Sequence, residues 1–182
     1  MSSETKSMGI LDWARAIAIG RRPKRTLVRL VPVIVLGLIT VLFFRFVLTP
    51  VRITGPSMIP TFQDGSIKFL NRLAYLRSEP KRGDIVGIRY SGNHVLLVKR
   101  VVGLPGELVG FQYGRFYVNG KPLHEPYLNY PCAKWHSEPK TLGPNEYYVV
   151  GDNRSMPIDF HYQGAADRRR IIGKILLLHG DS

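Results

Sequence analysis

The chain has 182 residues, 45% of them hydrophobic and 21% charged, with a formal net charge of +13. That is room for one compact domain and an appendage, and the charge favours anionic partners, nucleic acid or an anionic membrane surface. The single cysteine, Cys132, excludes an intrachain disulfide and a thiolate metal cluster.

In chain order, residues 8–19 have the pattern of a short amphipathic helix. A basic run follows, Arg21-Arg22-Pro23-Lys24-Arg25. It has no interleaved aromatics and no nucleic-acid motif around it, so no nucleic-acid partner is expected. Next comes an apolar run from Leu27 to Val51, uninterrupted from Leu30 to Phe44 and bounded by Arg29 and Arg45. Both arginines can snorkel toward headgroups, and continuing to Leu48 restores a spanning length. Pro32 is expected in the first turn of this helix, where it disturbs little. A buried core helix would show a polar stripe, and a cleaved leader would end in small residues. This run shows neither, and predicts an uncleaved transmembrane anchor over 27–48. Basic residues mark the cytoplasmic side. Residues 1–26 are therefore expected in the cytoplasm and 49–182 across the membrane, with the lipid bilayer as a partner.

After Pro50 short apolar runs alternate with Gly, Pro and Asn turns: "SIKFLNRL", "GDIVGIRY", "HVLLVKRVVG", "ELVGFQYG", "RFYVNGKPL", "EYYVVGDN" and "IIGKILLL". Regular short strands of this kind predict a mainly β sandwich or barrel. Asn119-Gly120 predicts a tight hairpin of type I′. Residues 126–145, rich in proline, read as a surface excursion tied down by Tyr127, Tyr130 and Trp135.

Two residues carry chemical interest. Ser57 sits between Pro56 and Pro60 in "GPSMIPTF", either a plain turn serine or a nucleophile on a stiff backbone. Lys99 lies inside an apolar strand. Either it stays on a solvated edge with its stem covered, or burial lowers its pKa and makes it a general base. Alternation sends Lys99 and Arg100 to opposite faces. A serine hydroxyl needs a base before it can attack, and serine with lysine is a recurring hydrolytic pair. The alternative base is one of five histidines, His94, His124, His136, His161 and His179, none with an acidic partner arranged in sequence. No pair of histidines has metal-ligand spacing. Neither a metal nor a cofactor is expected.

Four blocks resemble bacterial signal peptidase I, in that family's order: "GPSMIPT" (55–61), "KRGDIV" (81–86), "KRVVGLPGE" (99–107) and "GDNR" (151–154). The resemblance covers roughly 50–178, and the anchor fits it too. It implies a β-rich catalytic domain resting against the membrane, Ser57 as nucleophile, Lys99 as base, and preprotein signal peptides as substrates. The backbone N–H of Ser57 becomes the first candidate oxyanion donor. Ile53, Thr54, Met58, Val95 and Leu97 are expected to line the substrate site, with Arg52–Thr54 and His94–Val98 as docking edges. Arg100, Asp152, Arg154 and Asp159 are expected to be structural, Asp159 pairing with Arg100, and Asp152 with Arg154 or the turn backbone. Two positions depart from the family. Gly55 stands where many members have a serine that helps bind the oxyanion. Pro157 stands where a serine usually holds the base, with Ser155 as a displaced stand-in. Mitochondrial inner-membrane and conjugation-type peptidases resemble the chain too, and a non-catalytic anchored β domain is the reading from another class.

Overall fold

A computed structural model of the chain describes residues 23–90, 96–128 and 134–177. It divides into two units, Met1–Phe43 and Phe44–Ser182. The first contains most of helix α1, Pro23–Phe46, 24 residues and about 36 Å long. Within it Val28–Phe46 has a mean hydropathy of 2.2, long and apolar enough to cross a membrane. The helix starts earlier than the apolar run suggests. Pro23 has the φ a first helical turn wants, so the helix begins there. Pro32 consequently falls in the helix interior and not in its first turn. The helix also stops earlier. Leu48 opens a strand, and Thr49, which precedes Pro50, is disfavoured in a helix.

The second unit is mainly β, as the turn spacing predicted. Its strands are β1 (Leu48–Arg52), β2 (Ile67–Asn71), β3 (Ile85–Arg89), β4 (Leu96–Gly103), β5 (Leu108–Gln112), β6 (Arg115–Val118), β7 (Lys121–Pro122), β8 (Lys140–Thr141), β9 (Glu146–Val150), β10 (Gly164–Asp167) and β11 (Ile171–Ile175). Seven form one sheet in the order β1-β2-β11-β3-β4-β9-β10, and four form another in the order β7-β6-β5-β8. β6 and β7 are the two arms of the Asn119-Gly120 hairpin. Both turn residues have positive φ, 51° and 77°, as a type I′ turn requires. β1, β8 and β10 lack the apolar alternation that marks the other strands, and are held by their partners instead.

β4 lies inside its sheet, but its two halves are paired differently. It pairs with β3 along Leu96–Arg100 and with β9 from Arg100 onward. The half from Leu96 to Lys99 therefore has β3 on one side and no β9 pairing on the other. Three apolar clusters hold the unit together. One packs Met58 and Phe62 with Ile53, Leu70, Ile85, Val98 and Ile175. A second joins Val86, Ile88, Val101, Tyr147, Val149, Ala166 and Ile171. The third packs Phe111, Phe116, Trp135 and Tyr148 between the sheets' residues. The 126–145 stretch is thus only partly a surface excursion. Trp135 is buried, with its indole N–H donating to the Met156 carbonyl at 2.7 Å.

Candidate active site

Ser57 lies in a single 3-10 turn, Pro56–Met58. The turn is entered through Gly55 at φ 91° and ψ 163°, a conformation that favours glycine over any residue with a Cβ. The space around a Cβ at Gly55 is open, so backbone conformation and not crowding selects the glycine. The Gly55 N–H donates to Asp64 Oδ1 at 2.8 Å. Below the turn, Met58 is buried in the first apolar cluster and anchors it. Above it lies the loop Gly151–Arg154. The Asn153 N–H donates to the Ser57 carbonyl at 3.1 Å, and the Asn153 side-chain amide to the Pro56 carbonyl at 3.1 Å. A Cβ on Gly151 would collide with the Ser57 carbonyl, so glycine is what allows the loop to sit that close. Ser57 itself remains half-buried. The backbone is clamped from both sides while the hydroxyl keeps access to a cleft.

Lys99 is 3% exposed. That burial excludes the solvated-edge alternative. Burial lowers the Lys99 pKa to about 8, against the charge of Asp152, which raises it. Lys99 and Ser57 line one cleft of about 80 Å³, together with Ile53, Thr54, Met58 and Leu97. All four of these were expected there. Arg52, Leu96 and Val98 complete the lining. Val95 and His94 lie outside the described residues, as do Tyr130, Cys132, His179 and residues 1–22.

The opposite face of β4 carries Arg100, and its partner differs from the expected one. Arg100 makes two bonds to Asp152, Nε to Oδ1 at 2.8 Å and Nη2 to Oδ2 at 2.6 Å. Asp159 is exposed in the 3-10 turn Ile158–Phe160 and forms no such pair. The reason is local. Close approach of Gly151 to Ser57 brings Asp152 under the Pro56–Met58 turn, and the chain turns outward by Asp159. Arg100 also donates to the Gly83 carbonyl at 2.9 Å and lies 3.8 Å over the Tyr127 ring. Thr61 donates to Asp152 Oδ2 at 2.5 Å. One carboxylate therefore joins three of the four sequence blocks, and the Gly83 contact adds the fourth.

Arg154 does not pair with Asp152 either. It is fully buried, donates to Glu125 at 2.5 Å and to the Gly151 carbonyl at 2.8 Å, and so holds the loop from behind. Ser155 spends its hydroxyl on Asn153 Oδ1 at 2.6 Å, within its own loop, and is no stand-in for a group holding Lys99. Glu125, Thr61 and Asn153 were not singled out by sequence, and Tyr127 only as an aromatic tying down its own stretch, not as a ring under Arg100. Thr61 and Asn153 sit inside quoted blocks, whereas Glu125 has no local signal.

Among the described histidines, His124 and His136 line other cavities, of about 400 and 210 Å³. His161 is buried, with its ring 4.9 Å from Trp135 and neither ring nitrogen hydrogen-bonded among the described residues. Burial, and then the positive charge of Lys99, lower its pKa to about 4. It is a neutral ring at neutral pH.

The model of the family described as signal peptidase, peptidase S26, matches residues 25–179. The chain belongs to that family. It is 35% identical over 171 residues to signal peptidase I S of Bacillus subtilis, covering 87% of this chain and 83% of that protein. It is 32% identical to the probable signal peptidase I-2 of Synechocystis, covering 84% of this chain and 72% of that protein. A crystal structure of a signal peptidase I from Enterococcus faecalis matches with 27% identity and a TM-score of 0.44, over 54% of this chain and 98% of that one.

Proposed function

We propose that Ser57 and Lys99 carry the reaction of this peptidase as nucleophile and general base. The chain is a serine endopeptidase of the signal-peptide-removing type, consistent with its family and its relatives. The observation that supports the dyad most directly is the cleft shared by Ser57 and a buried lysine whose pKa is near 8. A lysine at its ordinary pKa would hold its proton at neutral pH. Desolvation makes the neutral amine accessible, so it can take the Ser57 proton as the hydroxyl attacks the scissile carbonyl. The oxyanion that forms is stabilised by the backbone N–H of Ser57. An acyl-enzyme follows, and water releases it.

The cleavage stretch binds as an extended strand. Leu96–Lys99 offers a backbone edge on the side where β9 pairing has not yet begun, and Arg52–Thr54 forms the other lip of the cleft. Ile53, Met58 and Leu97 are apolar walls close to the reacting serine. A cleft of about 80 Å³ suits small side chains, alanine above all. The preprotein is the substrate. Residues 1–26 lie in the cytoplasm, the apolar helix ending at Phe46 serves as the anchor in the lipid bilayer, and the β unit from Leu48 onward forms the extracytoplasmic protease domain. The basic run before an apolar helix supports this direction.

The test compares the full chain with Ser57→Ala and Lys99→Met in preprotein cleavage. Each substitution is expected to reduce the rate by at least about three orders of magnitude while the β-sheet circular dichroism stays unchanged. Unreduced cleavage in either variant would overturn the dyad. No cleavage by the unaltered chain would favour a scaffold without catalysis.

A further inference from the structure

Lys99 is a wall of two cavities. One is the cleft it shares with Ser57. The other, of about 310 Å³, opens on the face of β4 that Lys99 shares with Leu97, and is bounded by Val149, Tyr162, Ala165 and Arg170. Acyl transfer gives this second space a meaning. Once Lys99 holds the Ser57 proton, collapse of the tetrahedral intermediate breaks the scissile C–N bond. The electron pair of that bond goes to nitrogen, and the proton on Lys99 Nζ goes with it. The products are a neutral amine, an ester on Ser57 and a neutral Lys99. The leaving nitrogen must therefore depart beside Lys99. The acyl side of the substrate occupies the cleft with Ile53 and Met58, so the chain that leaves has the far side of Lys99 open to it.

We infer that the 310 Å³ cavity is the binding site for the first residues downstream of the scissile bond, and that it favours an acidic side chain there. This rests on the Ser57–Lys99 reading. Two further observations point the same way. Among the described residues β10 pairs with β9 alone, at Gly164↔Val149 and Ala165↔Tyr148, so its outer edge can accept an extended chain. Its small residues Gly164 and Ala165 line the cavity. The second observation is charge. Of three consecutive arginines, Arg168 bonds to Glu79 at 2.5 Å and Arg169 to Asp167 at 3.1 Å. Arg170, exposed at the cavity wall, is placed to meet a carboxylate from the substrate.

The experiment uses the full chain in detergent and preproteins carrying Glu or Lys in turn at the first, second and third residues after the cut. At one of these positions the unaltered chain is expected to cleave the Glu form about twofold to fivefold faster in kcat/KM, the size of an exposed charge pair. Arg170→Glu should reverse that ratio. Ala165→Trp should reduce cleavage of a preprotein with Phe at the same position at least threefold more than one with Gly. An unchanged Glu-to-Lys ratio in Arg170→Glu overturns the acidic preference. Equal losses for Phe and Gly in Ala165→Trp overturn the site. Absence of cleavage by the unaltered chain overturns the activity itself and this site with it.

Discussion

Lys99 and Arg100 are neighbours on one strand, both cations, and both less than 10% exposed. Their surroundings are opposite. Arg100 has a bidentate carboxylate, a backbone carbonyl and an aromatic ring around it. Lys99 has no carboxylate bonded to it among the described residues, and faces a cleft that mixes Ser57 and Thr54 with Ile53, Met58 and Leu97. A buried charge whose partners satisfy it stays charged and holds elements together, and breaking such a pair is severe. A buried cation without that compensation gives way in its pKa instead, which is how a lysine becomes a base. Position on the pleat thus divides two similar side chains between a satisfied ion pair and a desolvated amine.

The Arg100 half of the comparison breaks most readily. Asp152→Ala leaves the guanidinium buried and unpaired and releases Thr61 as well. Urea unfolding is expected to show a loss of about 3–5 kcal/mol. A loss under about 1 kcal/mol would mean that the pair is not the clamp of the loop that carries Ser57.

The Lys99 half should respond with the opposite sign. Its pKa falls from 10.5 unfolded to about 8 folded, so burying the charged form opposes folding. Below pH 8 both states hold the proton, and the fold bears the full burial cost, roughly 3 kcal/mol at 1.36 kcal/mol per pH unit. Between about 8 and 10.5 the unfolded chain binds more protons, and stability rises with pH. Above that window lysine is neutral in both states and the cost is gone. Lys99→Met is therefore expected to stabilise the domain by about 2–3 kcal/mol at pH 7, and to remove the rise between pH 8 and 10.5. Thermal unfolding at pH 7 and pH 10 measures both effects.

The smallest effect concerns the turn between the two halves. Gly55→Ser places a Cβ at φ 91°. The expected loss is about 1–2 kcal/mol in chemical denaturation, and the added hydroxyl should bring no gain in cleavage because the backbone that carries it is strained. A more active or equally stable variant would show that the positive φ at Gly55 is not what selects the glycine.

Most strands were legible from local alternation and the apolar helix from its unbroken hydrophobic run, whereas β1, β8 and β10 carry no such pattern. The cleft was legible for a different reason: Ser57, Met58 and Lys99 sit in the quoted blocks, and Ile53, Thr54 and Leu97 lie two to four residues before Ser57 or Lys99, so they line one cleft. The pairings were not legible. Arg100 finds Asp152 across 52 positions, and the choice between Asp152 and Asp159 depends on how closely a loop approaches the Ser57 carbonyl. Arg154 finds Glu125, a carboxylate in a loop with no motif of its own. The start of α1 at Pro23 was missed because hydropathy marks the apolar span and not the helix that contains it.

The most direct test of the account is the pH dependence of kcat/KM for preprotein cleavage, which reports the free enzyme's essential base. The account predicts an acid limb with an apparent pKa near 8, the value burial sets for Lys99, with activity retained on the alkaline side. A limb near 6.5, the ordinary value of a histidine, would contradict it.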